Sequence, residues 1–161
     1  MIVFGVDPGL ANTGWGAVEY DGRNYRPVSY GVVETEAGES QEKRITTIAN
    51  ELGELALKYK AEVVSMEDIF FTKNTSSAIA VAKVIGAAIL RFDQLGLETH
   101  LYTPIQVKTA VTGMGRADKL QVQEMVKVLL HLRQIPRPDH AADALADCIC
   151  YCTHAPLKGI I

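Results

Sequence analysis

The chain has 161 residues, 48% hydrophobic and 22% charged, enough for one globular domain with a proper core and too few for two large ones. With no unbroken run of about 18 apolar residues and no charged-then-apolar leader, neither a membrane span nor a secretory signal is expected. The net charge of −3 argues against nucleic-acid binding only as an average, since residues 1–67 carry 6 Lys/Arg against 11 Asp/Glu while residues 104–137 carry 6 against 2. A local basic segment of that kind suits either a phosphate footprint or a solvated surface.

Residues 2–6 (IVFGV) are an apolar run stopped by Asp7-Pro8-Gly9, the pattern of a buried strand ending in a turn. Residues 13–20 (TGWGAVEY) predict a second strand, Asp21-Gly22-Arg23-Asn24 a turn, and residues 25–35 a third, partly exposed strand, so the three make an antiparallel meander. Within residues 40–59, Ile45, Ile48, Leu52 and Leu55 recur with helical period. Residues 61–67 (AEVVSME) predict a fourth strand, which also ends in a carboxylate. A long helix follows at 76–94 and a fifth strand at 97–102. The remainder is expected to be helical, with loops at 103–118 and 133–138. No repeat, low-complexity tract or linker interrupts residues 1–161, which are expected to fold as a single α/β domain with a mixed sheet.

Two of these strands end in acids, Asp7 and Glu67. If both strands lie centrally and parallel, both acids reach the carboxyl edge of the sheet, where α/β proteins bind ligands. Carboxylates that converge there repel unless a cation or a proton separates them. Either acid alone would serve equally as a turn residue or a strand exit; the pair makes a metal site a competing reading.

Further candidates lie in RPDHAADALADCIC, residues 137–150. Pro138 and Asp139 mark a helix start, with Asp139 as the expected N-cap. At about 100° per residue, His140, Asp143 and Asp147 fall within an arc of roughly 60°. Ala141, Ala142, Leu145, Cys148, Ile149 and Cys152 gather on the opposite, core-facing side. A solvated face would explain such a stripe, but those faces usually contain Lys, Glu and Gln, and no Lys or Arg stands between Arg137 and Lys158. The spacing of Cys148, Cys150 and Cys152 fits neither a zinc knuckle nor an even disulfide set, so reduced thiols in the cytoplasm are expected.

Two other stretches suggest surfaces. Gly113-Met114-Gly115-Arg116 leads into Asp118 with Gln121 three residues later, a capping-box pattern. With Arg116 and Lys119 beside it, that helix start is a reasonable phosphate seat. Ala78 through Leu90 are apolar or glycine except Lys83. A surface helix should have a polar side, so the helix at 76–94 is expected to pack on the sheet with one face and on a partner with the other. The alternative is burial by other elements of the same chain.

Four blocks, GVDPGLANTGWG (5–16), MEDIFFTKNTSSA (66–78), VKTAVTGMGRADKLQVQEMV (107–126) and HAADALA (140–146), resemble in this order the RuvC-type Holliday-junction resolvases. The resemblance implies a ribonuclease H-like fold, with a five-stranded mixed sheet flanked by helices. It also implies a homodimer, metal-dependent cutting of four-way DNA junctions by paired symmetric incisions, and a branch-migration complex of the RuvA and RuvB type as partner. It puts Asp7, Glu67, His140 and Asp143 at the four metal-site positions, where some members carry Asp in place of His140, and implies two Mg²⁺ or Mn²⁺ ions per subunit. Two such ions about 3.5–4 Å apart can activate a water and stabilise a leaving oxygen, with 5′-phosphate and 3′-hydroxyl ends expected. An imidazole among carboxylates moves the preference towards Mn²⁺.

The resemblance also points to DNA contacts. Phe70 is directed towards stacking on a base at the opened junction centre, Lys73 towards a phosphate or transition-state contact, and Asn74 towards base reading. Phe71 reads as the core member of the aromatic pair. Lys108 and Lys119 match basic positions, and Arg116 is added from spacing alone. Asp139 and Asp147 match no acidic position of the family. DPGLANTGWG also resembles the first phosphate loop of actin-like ATP-dependent phosphotransferases, but those need a second, duplicated domain with a second Asp-Gly loop. A catalytically silent junction-binding module would need a broken ligand set, and all four positions carry competent ligands.

Overall fold

The computed structural model describes residues 1–69 and 75–155. Strands β1 (Ile2–Asp7), β2 (Asn12–Tyr20) and β3 (Tyr25–Glu34) form the antiparallel meander. Strands β4 (Val63–Glu67) and β5 (Thr99–Tyr102) join it in parallel, giving the order β3-β2-β1-β4-β5. Helix α1 (Gln41–Lys58) precedes β4 and helix α2 (Thr75–Gln94) precedes β5. Helices α3 (Pro104–Thr112), α4 (Lys119–Leu129) and α5 (Asp139–His154) complete the chain. The fold is ribonuclease H-like, with two central strands in parallel.

Much of the segment expected as a loop at 103–118 is helical instead. Thr103 and Gln106 form a reciprocal capping box, Pro104 occupies the first turn, and Gly113 closes α3 in a left-handed conformation with φ 77°. Each is a local stop or start signal, and together they hold nine residues of helix that hydrophobic periodicity alone did not reveal. The expected capping box of Asp118 and Gln121 is present at α4.

Alternation along the strands sorts the side chains into two cores. Phe4, Val6, Trp15, Ala17, Val64 and Met66 face α1 and α2, where Ile48, Leu52, Val84, Ala88 and Phe92 meet them. Val3, Val18 and Val63 face α3, α4 and α5. Helix α2 is long and apolar enough to cross a membrane by composition, yet Val84, Ile85, Ala88 and Phe92 are packed in the core. Its other side leaves Ile79 and Leu90 more than half exposed, beside exposed Ala82 and Gly86.

Helix α5 lies against the strands themselves. A Cβ on Gly5 would stand 1.9 Å from the Ala144 carbonyl oxygen, and one on Gly14 would stand 1.9 Å from that of His140. Glycine is what permits so close a backbone approach. The expectation of a two-sided, amphipathic α5 needs correction: Ala144, Ala146, Asp147 and Cys150 are buried along with the apolar side. The sheet covers one flank while α3 and α4 cover another, so the polar stripe stops at Asp143.

Candidate metal centre

The parallel register pairs Val6 with Met66, so the next residues, Asp7 and Glu67, come side by side at the carboxyl ends of β1 and β4. Period-two alternation turns both towards α5, following Val3 and Gly5 on one strand and Val63 and Ser65 on the other. The chain leaving Asp7 is pinned by Thr13, which is fully buried. Its hydroxyl donates to the Gly9 carbonyl at 2.6 Å and accepts the Gly9 N–H at 3.3 Å. Helix α5 is tied down from the other direction, where the Ser65 hydroxyl donates to the Asp147 carbonyl at 2.6 Å.

This docking brings the first turn of α5 over Asp7. His140 Nδ1 lies 2.8 Å from Asp7 Oδ2, and one ligand atom each from Asp7, His140 and Asp143 lie within 4.8 Å of one another. Lys119, the first residue of α4, places Nζ 3.2 Å from Asp143 Oδ2.

The electrostatics are those of a crowded acid cluster. Burial, followed by the charges of Asp7 and Asp143, pushes the Glu67 carboxyl up to about 7, with Lys108 and Lys119 opposing. Asp143 is raised by burial and then by Asp7, against the pull of Lys119. The hydrogen bond to Asp7 raises His140. Asp147 is raised well above the carboxylate range by burial, with Glu67, Asp7 and Asp143 adding to the effect. Such a group is relieved by protons or by a cation. Carboxylate oxygens with one imidazole nitrogen are a donor set that fits a divalent ion of the magnesium or manganese kind.

Of the predicted site residues, Asp7, His140 and Asp143 converge, Glu67 stands beside Asp7, and Lys119 contacts Asp143. Lys108 on α3 is near enough to lower the Glu67 pKa. Arg116 is exposed in the loop before α4 and joins no ion pair among the described residues. Phe70, Phe71, Lys73 and Asn74 lie outside the described residues. Two expectations are corrected. Asp139 does not cap α5: Pro138 is the N-cap residue, no side-chain cap bond forms, and the Asp139 carboxylate pairs with Arg137 and Lys119 instead. Asp147 is not at the surface; it has no exposed area and neither carboxyl oxygen has a hydrogen-bond partner. The glycine track and Ser65 were missed as positioning residues. The alternate glycines of GVDPG and TGWG were the available signal.

A family model described as Crossover junction endodeoxyribonuclease RuvC matches residues 3–151. A protein of that name from Caldanaerobacter subterraneus is 45% identical over 152 residues, covering 94% of this chain and 92% of the relative. Another from Heliobacterium modesticaldum is 43% identical over 160 residues, covering 99% and 98%. Among solved structures, T. thermophilus RuvC in complex with Holliday junction substrate matches with a TM-score of 0.90 at 34% identity, covering 96% of this chain and 94% of that one.

Proposed function

The chain belongs to the RuvC family of crossover junction endodeoxyribonucleases, and from that premise we propose that it is a structure-selective endonuclease resolving Holliday junctions in DNA recombination and repair. The observation that carries this reading is the convergence of Asp7, His140 and Asp143 within 4.8 Å at the carboxyl edge of the sheet. Glu67 is the adjacent fourth acid.

Asp7, Glu67, His140 and Asp143 would hold two Mg²⁺ or Mn²⁺ ions per subunit. When bound, such ions supply Lewis-acid charge and an activated water for in-line hydrolysis of a phosphodiester, leaving 5′-phosphate and 3′-hydroxyl ends. The chain prepares that state in two ways. His140 shares Asp7 across 2.8 Å, so the imidazole is oriented before it gives up its proton. Lys119 and Lys108 bring positive charge to the rim of an acidic cluster, where an anionic phosphate would otherwise be repelled. Phe70, Lys73 and Asn74, on the segment after β4, are assigned to the DNA, with Arg116 as a further phosphate contact.

We assign the exposed apolar side of α2 to a homodimer, because a two-fold protein presents two identical sites to a junction of near two-fold symmetry. Paired incisions follow from that symmetry. A branch-migration complex of the RuvA and RuvB type is the expected partner, and the cytoplasm, where its three cysteines stay reduced, is the expected compartment.

The test is incubation of a synthetic four-way junction and Mn²⁺ with wild-type or Asp7→Asn protein. Wild type is expected to nick opposing strands symmetrically, and the variant to bind the junction without cutting it. Cutting by both, or by neither despite tight binding, overturns the assignment.

A further inference from the structure

Lys119 serves two carboxylates of α5 at once. Its ammonium lies 3.2 Å from Asp143 Oδ2 and 3.6 Å from Asp139 Oδ2. Asp143 belongs to the converging ligand group and Asp139 does not. An ammonium has three donors and can satisfy both acids together. The two acceptors differ in setting: the Asp143 side chain is 26% exposed and that of Asp139 is 42% exposed. Asp139 is also restrained on its own account, by its place in the first turn of α5 and by its pairing with Arg137.

We propose that Asp139 is a positioning residue for Lys119, which takes over the ammonium when Asp143 turns to a divalent ion. This rests on the reading of Asp7, His140 and Asp143 as metal ligands. Without a second acceptor, ion binding at Asp143 would leave Lys119 as an unpaired cation beside a divalent one. That repulsion would weaken ion binding and drive the side chain out towards solvent. With Asp139 in place, Lys119 stays at the rim of the site, where a DNA phosphate meets it. The Arg137 contact keeps Asp139 on the Lys119 side of the helix start, ready before the exchange occurs.

An ordinary exposed ion pair would stabilise the fold weakly and affect ion binding hardly at all. A direct attraction between Asp139 and the ion would act whether or not Lys119 is present. A double-mutant cycle separates these cases. Mn²⁺ affinity is measured on the full chain, without DNA, by the paramagnetic resonance of free Mn²⁺, for wild type, Asp139→Asn, Lys119→Gln and the double variant. Asp139→Asn is expected to weaken Mn²⁺ binding about threefold, the scale of a partly exposed ion pair, and Asp139→Glu to restore it. In the Lys119→Gln background the same Asn substitution should leave the affinity unchanged. Equal weakening in both backgrounds would assign the effect to direct attraction and overturn the proposal, as would no weakening in either. If Asp7→Asn binds Mn²⁺ as well as wild type does, the metal-centre reading itself fails, which the cycle alone would not reveal. Melting curves of all variants check that each is folded.

Discussion

Asp147 holds a carboxyl group in the interior with no partner on either oxygen, and its neutral form is therefore favoured in the folded chain. The pKa of Asp147 is raised by burial, that of Glu67 by burial and its acidic neighbours to about 7, and that of His140 by its bond to Asp7. All three shifts have the same sign. A raised folded pKa contributes stability that is complete below the unfolded value and lost as pH rises through the folded one. The metal-free protein should therefore lose thermal stability across the interval from the ordinary glutamate value of 4.5 to about 7, and added Mn²⁺ should restore part of it. Asp147→Asn removes one ionisation from that balance. Urea titration should find the variant more stable than wild type at pH 8, because the unfolded wild-type chain ionises Asp147 while the folded chain disfavours that charge, with the difference shrinking towards pH 4. A variant less stable than wild type at pH 8 would show that the Asp147 carboxylate is stabilised by a partner. Angular spacing along a helix made the nearness of His140 and Asp143 legible. It could not distinguish Asp147 from them, because spacing reports direction around the axis and not what covers each turn.

The docking of α5 on β1 and β2 decides whether the site exists. Gly14→Ala would put a methyl group 1.9 Å from the His140 carbonyl oxygen, and a backbone atom cannot swing away as a flexible side chain can. Overpacking of this kind typically costs about 1–3 kcal/mol. The larger effect should be on catalysis, since lifting the first turn of α5 separates His140 from Asp7. A displacement of about 1 Å can lower a rate by roughly 10². Cutting rates and melting temperatures of Gly14→Ala should show both losses. Gly38→Ala, where a Cβ meets nothing within 4 Å, should show neither. Equal behaviour of the two variants would remove the glycine track as a determinant of the site. The strands were legible because apolar runs ended at Asp7-Pro8-Gly9 and at Glu67. Helix α3 was not, because its evidence lay in the Thr103-Pro104 start and the Gly113 stop and not in a periodic apolar face.

For the whole molecule, the proposed homodimer rests on the outer side of α2. Leu90 is 59% exposed and Ile79 is 53% exposed, so charged replacements there should leave the monomer folded. Leu90→Glu is expected to raise the dimer dissociation constant at least about tenfold, as for a residue central to an interface, and to replace paired incisions with single nicks. Sedimentation velocity and a nick-versus-resolution assay would measure both; an unchanged dimer would move the interface elsewhere. The all-round apolar character of α2 was plain in the sequence, but its alternative explanation, cover by the rest of the chain, needed the packing of α1 and the sheet to be seen. The lateness of α5 bears on how the protein is made. Asp7 and Glu67 are synthesised early, whereas His140 and Asp143 leave the ribosome only after every strand has emerged. Until then the glycine-paved side of the sheet lacks α5, and Asp7 and Glu67 lack the His140 and Asp143 side chains that complete the group. Such long-range closure is slow and cooperative. A chain that stops before α5 is therefore expected not to cut a junction, since His140 and Asp143 are missing from the ligand group.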